Sequence, residues 1–222
     1  MNWRTALYED RAAAGRVLAG RLVDQAIQAP IVLAIPNGGI AVGVPISQAL
    51  CCELRLLVVR KIQIPGSTEA GFGAVAADGT TVLDRALMAN LRLDDRQVEA
   101  QKERALHSIS RRLQHFGSWA RLPDLKGMTP IVVDDGLATG STMEAAVQIV
   151  RMHEPRRVVV AVPTSSRRAF RRLGPLVDDL ICPDVAGTPV FAVADAYRHW
   201  YDLSDDEVLQ LLEGTATSGV TS

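Results

Sequence analysis

The sequence predicts an α/β fold built on a mainly parallel sheet flanked by helices, and three observations carry that reading. Short apolar runs of the kind that suit strands covered on both faces alternate with stretches of helical periodicity. Several of these runs stop at small or polar turn residues, as at Pro36-Asn37-Gly38-Gly39. A third run, Ile131 to Val133, leads straight into Asp134 and Asp135, and a small-residue turn through Thr142 then opens an apolar-periodic helix.

Taken in order, Asp10 to Ala29 places Ala13, Val17, Leu18, Leu22, Ala26 and Ile27 near helical spacing and predicts an amphipathic first helix. Ile31 to Ile35 is a buried-type strand. A helix over about Ile40 to Cys51 and a strand over Leu54 to Val59 follow. Residues 60–84 read differently: Pro65, Gly66, Gly71, Gly73 and Gly79 punctuate them, and only Phe72–Ala77 and Thr80–Leu83 look strand-like. They predict an extended, mobile excursion with a hairpin around Asp78-Gly79. Leu93 to Phe116 is a long polar-rich helix with Val98, Ala105, Leu106, Ile109 and Leu113 as its apolar stripe and Asp94 or Asp95 as its cap. Pro123 to Gly127 is a linker. After the Asp134–Thr142 motif, its helix runs to about His153. A strand (Arg157–Pro163), a helix (Ser165–Leu173) and a short strand (Asp179–Cys182) complete the alternation. A helix then starts at Ser204, with Ser204 and Glu207 in capping-box spacing.

Composition narrows the function. At 222 residues and 48% hydrophobic, the chain is long enough for one domain with a sizeable core. A net charge of −1 gives no global case for nucleic acid, and the Arg167, Arg168, Arg171, Arg172 group reads as a solvated helix face. Cys51, Cys52 and Cys182 have neither disulfide nor zinc spacing, and His107, His115, His153 and His199 are scattered. No apolar run approaches the roughly 18 residues of a membrane span, and Arg4, Glu9, Asp10 and Arg11 do not make a signal peptide. A reducing cytoplasm is the expectation.

The chemistry sits at Asp134–Thr142. Two acids at a strand end accept from vicinal hydroxyls. Ala138 to Thr142 offers backbone N–H groups and a helix N-terminus to a phosphate, with hydroxyls from Thr139, Ser141 and Thr142. Gly140 lets the backbone approach the anion. Neither a Walker A loop nor a dinucleotide fingerprint fits the spacing.

This run resembles the phosphoribosyl-diphosphate signature of type I phosphoribosyltransferases, and its Asp-Asp-x-x-Ala-Thr-Gly form is similar to that of adenine phosphoribosyltransferases. The whole chain also resembles a group of bacterial phosphoribosyltransferases of about this length. The resemblance rests on Pro36–Gly39, Val58–Lys61, Pro65-Gly66 with Gly73–Val75, and Ser204–Val208. It implies a central parallel sheet with a flexible catalytic loop (about residues 61–84), a long helical insertion (about 93–116) and a hood from the chain ends (about 183–214).

For the site, the resemblance implies that Asp134 and Asp135 hold the ribose hydroxyls and that Ala138, Thr139, Gly140, Ser141 and Thr142 wrap the 5′-phosphate. Asn37, Gly38, Gly39, Arg60 and Lys61 would face the diphosphate, with Lys61 catalytic and a non-prolyl cis peptide near Pro36–Asn37. Magnesium would be held by ligand oxygens and water rather than by a protein cage. Relatives more often have Arg where this chain has Asn37. Hypoxanthine-guanine enzymes place an acid where this chain has Ala138, which disfavours 6-oxopurine acceptors. The acceptor, a small nitrogenous ring, would meet Phe191, Asp195, Tyr197 or Trp200.

Several readings stay open at this stage. Gly38-Gly39 also suits a left-handed turn, and Arg60-Lys61 a strand end dipping into solvent. Glu69 reads as solvated or as an acid/base, and the aromatics as core. The exposed part of the long helix is the candidate homodimer surface. The rival function is a non-catalytic sensor of phosphoribosyl diphosphate, against which stands the absence of the on the order of 70 residues that a DNA-binding module needs.

Overall fold

The computed structural model describes residues 6–67, 70–188 and 191–218. The chain runs α1 (Arg11–Val23), β1 (Pro30–Ala34), α2 (Gly38–Ala49), β2 (Leu54–Leu56), β3 (Val59–Gln63), β4 (Gly71–Ala76), β5 (Thr81–Leu83), α3 (Arg85–Asn90) and α4 (Asp95–Phe116). It continues with β6 (Thr129–Val133), α5 (Ser141–Arg151), β7 (Val159–Ala161), β8 (Thr164–Ser166), α6 (Arg167–Leu173), β9 (Asp179–Ile181), β10 (Asp184–Ala186) and α7 (Asp205–Ser218). The main sheet is parallel throughout, in the order β2-β1-β6-β7-β9.

Strand alternation sorts its side chains into two layers. Val32, Ala34, Ile131 and Val133 face one way, into a core shared with Leu18 and Leu22 of α1, Ile40 and Ile46 of α2, and Val208 and Leu212 of α7. Ile31, Leu33, Val132 and Val160 face the other way, against Met143, Ala146 and Val150 of α5 and Ala169 and Leu173 of α6. Both faces are covered, which is why these strands read as unbroken apolar runs. Among the described residues no helix is long and apolar enough to cross a membrane.

Successive strands step outward in opposite directions from the β1–β6 pair, toward β2 on one side and toward β7 and β9 on the other. A crevice opens at such a reversal, beyond the carboxyl ends of the two central strands. The Pro36–Gly39 turn follows β1 and the Asp134–Thr142 turn follows β6, so both lie at that crevice.

The caps foreseen from sequence form. Asp94 and Gln97 close a capping box on α4, and Ser204 and Glu207 exchange hydrogen bonds at the start of α7. Two expectations change. The excursion expected over 61–84 is mostly an antiparallel sheet, β3-β4-β5, with Ile62 and Phe72 fully buried between α4 and α5. Its irregular part is the connection between Gln63 and Gly71, of which residues 68 and 69, and hence Glu69, lie outside the described residues. The helix expected from Ser165 begins at Arg167, because Thr164–Ser166 instead pairs in parallel with Asp184–Ala186.

Candidate active site

Two glycines let the crevice close. A Cβ on Gly38 would sit 1.8 Å from Oδ2 of Asp135, and one on Gly39 would sit 2.6 Å from the carbonyl oxygen of Val133. Neither glycine has a positive φ. The left-handed-turn alternative therefore fails, and absent volume, not backbone freedom, is what the loop requires there. The Pro36–Asn37 peptide is cis, as the resemblance implies.

Asn37 does not present its amide to the crevice. Its Nδ2 donates to the carbonyl of Leu203 at 2.7 Å and to Oδ1 of Asp205 at 2.9 Å, tying the loop to the start of α7. Oδ1 of Asn37 is buried and lacks a hydrogen-bond partner among the described residues.

On the facing side, Gly140 adopts φ +75° at the N-cap of α5, a conformation that favours glycine. Thr139 and Ser141 share a hydroxyl hydrogen bond of 3.0 Å, and Ser166 donates to the carbonyl of Ala138 at 2.7 Å. The turn encloses a cavity of about 160 Å³ walled by Asp134, Gly136–Met143 and Val193. Nζ of Lys61 reaches this loop from β3, 3.2 Å from Oγ of Ser141. Hydroxyls, a cation and the first-turn N–H groups of an eleven-residue helix thus converge on a pocket of phosphate size.

The two acids have separate surroundings. Asp134 walls the phosphate-loop cavity. Burial, then the adjacent Asp135 charge, push its carboxyl well above the usual carboxylate range. Oδ2 of Asp135 instead takes a 2.8 Å ion pair from Nε of Arg11, and its carbonyl accepts from the Tyr197 hydroxyl at 2.6 Å. Burial also raises the Asp135 carboxyl, against the lowering hydrogen bond and charge of Arg11.

Arg11 is the site residue that sequence reasoning missed. It is 6% exposed, donates from Nη1 to the carbonyl of Tyr201 at 2.8 Å, and lies 3.9 Å from the Trp200 ring centroid. Its partner is 124 positions away. The one local signal was a charge on the inner face of an amphipathic helix.

The other expected residues divide. Arg60 and Lys61, adjacent on β3, point to opposite sides: Lys61 to the phosphate loop, Arg60 toward α4 and Asp205. Lys61 therefore reaches the Ala138–Thr142 turn in this conformation rather than the Asn37–Gly39 turn. Tyr197 and Trp200 are engaged with Asp135 and Arg11, so their faces are not free to stack on an acceptor. Phe191 is half-buried and Asp195 exposed. They flank Val193, whose methyls would meet a Cβ on Gly136 at 2.6 Å, and Val193 is the hood residue that reaches the cavity.

Comparison with known proteins agrees with this architecture. The family model for the phosphoribosyl transferase domain matches residues 4–190. A Mycobacterium tuberculosis protein provisionally named a phosphoribosyl transferase, Rv0571c in strain H37Rv and MT0597 in strain CDC 1551, is 36% identical over 209 residues. That match takes in 93% of this chain but 46% of the relative, so the chain spans about half the length of the curated relatives it matches. The crystal structure of TT1426 from Thermus thermophilus superposes with a TM-score of 0.84 at 34% identity, covering 92% of this chain and 97% of that one.

Proposed function

The chain belongs to the phosphoribosyl transferase family, and we propose that it moves the phosphoribosyl group of 5-phospho-α-D-ribose 1-diphosphate to a small nitrogenous, nucleobase-like acceptor, releasing diphosphate. The observation that carries the reading is the contact between two turns at the β1–β6 crevice. Gly38 touches Asp135, while Asp134 opens onto the phosphate-sized cavity of residues 136–143. One ligand with a phosphate, a diol and a diphosphate spans such a site.

Asp134 accepts the ribose hydroxyls, and Asp135, held by Arg11, keeps the Gly38 turn seated against it. Thr139, Ser141, Thr142 and the first turn of α5 hold the 5′-phosphate, with Lys61 as its counter-charge. The Asn37–Gly39 turn faces the diphosphate. Fixing both ends of the sugar leaves C1 as the part free to move, so positioning and charge complementarity supply most of the protein's catalysis. A cationic transition state must be kept from water, and the loop of about residues 61–84 is the segment assigned to that role.

Among the described residues no three His, Cys, Asp or Glu gather into a metal cage. A single carboxylate at the cavity, Asp134, fits a magnesium ion that arrives with phosphate oxygens and keeps its waters. When bound, magnesium neutralises the departing diphosphate.

The test is diphosphate release from phosphoribosyl diphosphate and magnesium across a panel of nucleobases and amines. Release that depends on one acceptor class is expected. Tight binding with no release from any acceptor would replace the enzyme with a sensor of the same ligand.

A further inference from the structure

A groove between β3 and α4 concentrates positive charge, most of it on arginines that lie outside the phosphate-loop cavity. Gln101, Arg104, Ser108, Arg111 and His115 recur every three or four residues along α4 and so share one face. Arg60 meets them from β3. Two cavities of about 350 and 320 Å³ lie along this face, and Arg60 and Ser108 line both, so the cavities adjoin.

Cations outnumber acids in the groove. Among the described residues no carboxylate forms an ion pair with Arg60, Arg104, Arg111 or Arg112, and the one acid in either lining is Asp205. Asp205 already accepts from Asn37. At the far end His115 lies 3.3 Å from Asp206, which closes the groove against α7. Burial, and then the neighbouring Arg112 and Arg111 charges, lower the Arg60 guanidinium, and the Asp205 charge offsets them only in part. Such crowding is unfavourable in the empty protein and becomes an asset when an anion enters.

We propose that the β3–α4 groove is a second ligand site, for a small molecule that carries a chain of phosphates. Guanidinium groups present planar forks that match phosphate oxygens in pairs. From Gln101 to His115 the helix rises about 21 Å, longer than one diphosphate and suited to several phosphates with or without an attached nucleoside. The whole chain carries a net charge of −1, which favours a small anion captured by a local groove over a long nucleic acid. The groove shares Lys61 with the proposed transfer site and adjoins the Asn37 loop through Asp205, but Arg104 and Arg111 of α4 contribute nothing to the phosphate-loop cavity, so changing them probes the groove apart from that cavity.

The test is calorimetric titration of the full chain at low ionic strength with inorganic tripolyphosphate and, separately, with adenosine triphosphate. Arg104→Ala with Arg111→Ala is the matched variant. Both side chains are exposed, so the helix is expected to keep its far-ultraviolet signal. An Arg104→Lys, Arg111→Lys pair keeps the charge if alanine disturbs the fold. Wild type is expected to bind, the alanine pair to lose at least about tenfold in affinity, and the lysine pair to recover part of it. Equal affinity for the two probes would assign recognition to the phosphate chain alone, and tighter binding of adenosine triphosphate would add a nucleoside contact. No binding of either probe, affinity unchanged in the alanine pair, or tighter groove-dependent binding of a single-stranded oligonucleotide would overturn the proposal.

Discussion

Replacing Arg11 with alanine removes the cation that holds the Asp135 carboxyl down against its burial. The pair is largely dry, with side-chain exposures of 7% for Arg11 and 15% for Asp135. Breaking a buried pair by deleting one partner costs about 3–5 kcal/mol, because the remaining charge is stranded. The hydrogen bond to Tyr201 and the cation–π contact with Trp200 add about 1–2 kcal/mol between them, not strictly additively. A total of about 5 kcal/mol lowers the midpoint of thermal unfolding by on the order of 10–20 °C for a chain of this size.

Part of that cost depends on pH. Without Arg11 the Asp135 carboxyl rises further, and the folded variant holds a proton that the unfolded chain has released. Its deficit is therefore small in acid and grows with pH, by up to about 1.4 kcal/mol per unit, until the raised value is passed. Urea denaturation followed by circular dichroism at two pH values measures this. In an Asp135→Asn background the same Arg11→Ala change is expected to cost only the Tyr201 and Trp200 contacts. A deficit below about 1 kcal/mol, or one identical in the Asp135→Asn background, would refute the reasoning.

Asp134→Asn is expected to stabilise the unliganded protein at neutral pH. A raised carboxyl contributes stability that is complete below the ordinary carboxylate value and is lost as pH rises through the raised one. Denaturation curves for the variant should therefore pull away from wild type above mildly acidic pH, whereas a variant weaker at every pH would contradict the assignment. By the same sign, phosphoribosyl diphosphate affinity should rise with pH as Asp134 ionises, with protons released on binding; calorimetry in buffers of different ionisation enthalpy reads that number directly. Gly39→Ala places a Cβ 2.6 Å from the Val133 carbonyl oxygen and 3.1 Å from Cα of Asp134. Both are backbone atoms of the sheet, so the two turns must part at a cost of about 1–3 kcal/mol, and ligand binding should fall more steeply than stability.

What the sequence made legible was local. The β6 run with its acids and small-residue turn, the Asp94 and Ser204 caps, and the hairpin at Asp78-Gly79 are each written in a few consecutive residues. What it hid was decided by distant partners. Arg11 meets Asp135 only because α1 packs on α2 with its first residue beside the end of β6, and Asn37 meets Asp205 only because α7 packs on α2. Tyr197 and Trp200 read equally as stacking surfaces and as core until the guanidinium beside them is in place. Gly38 and Gly39 read equally as an anion-facing loop and as a left-handed turn, because sequence reports the absence of a side chain without the neighbour that needs the space. The opposed directions of Arg60 and Lys61 follow from strand alternation, but only once residues 59–63 are known to be a strand with a helix on each side.

The most direct measurement is calorimetric titration of phosphoribosyl diphosphate with magnesium into wild-type protein and into Asp134→Asn. One binding site in wild type is expected, with affinity reduced on the order of 100-fold in the folded variant, the loss that two hydrogen bonds to a charged acceptor imply. Equal affinity in the two proteins, or no binding to wild type, would contradict a ribose held at the β1–β6 crevice.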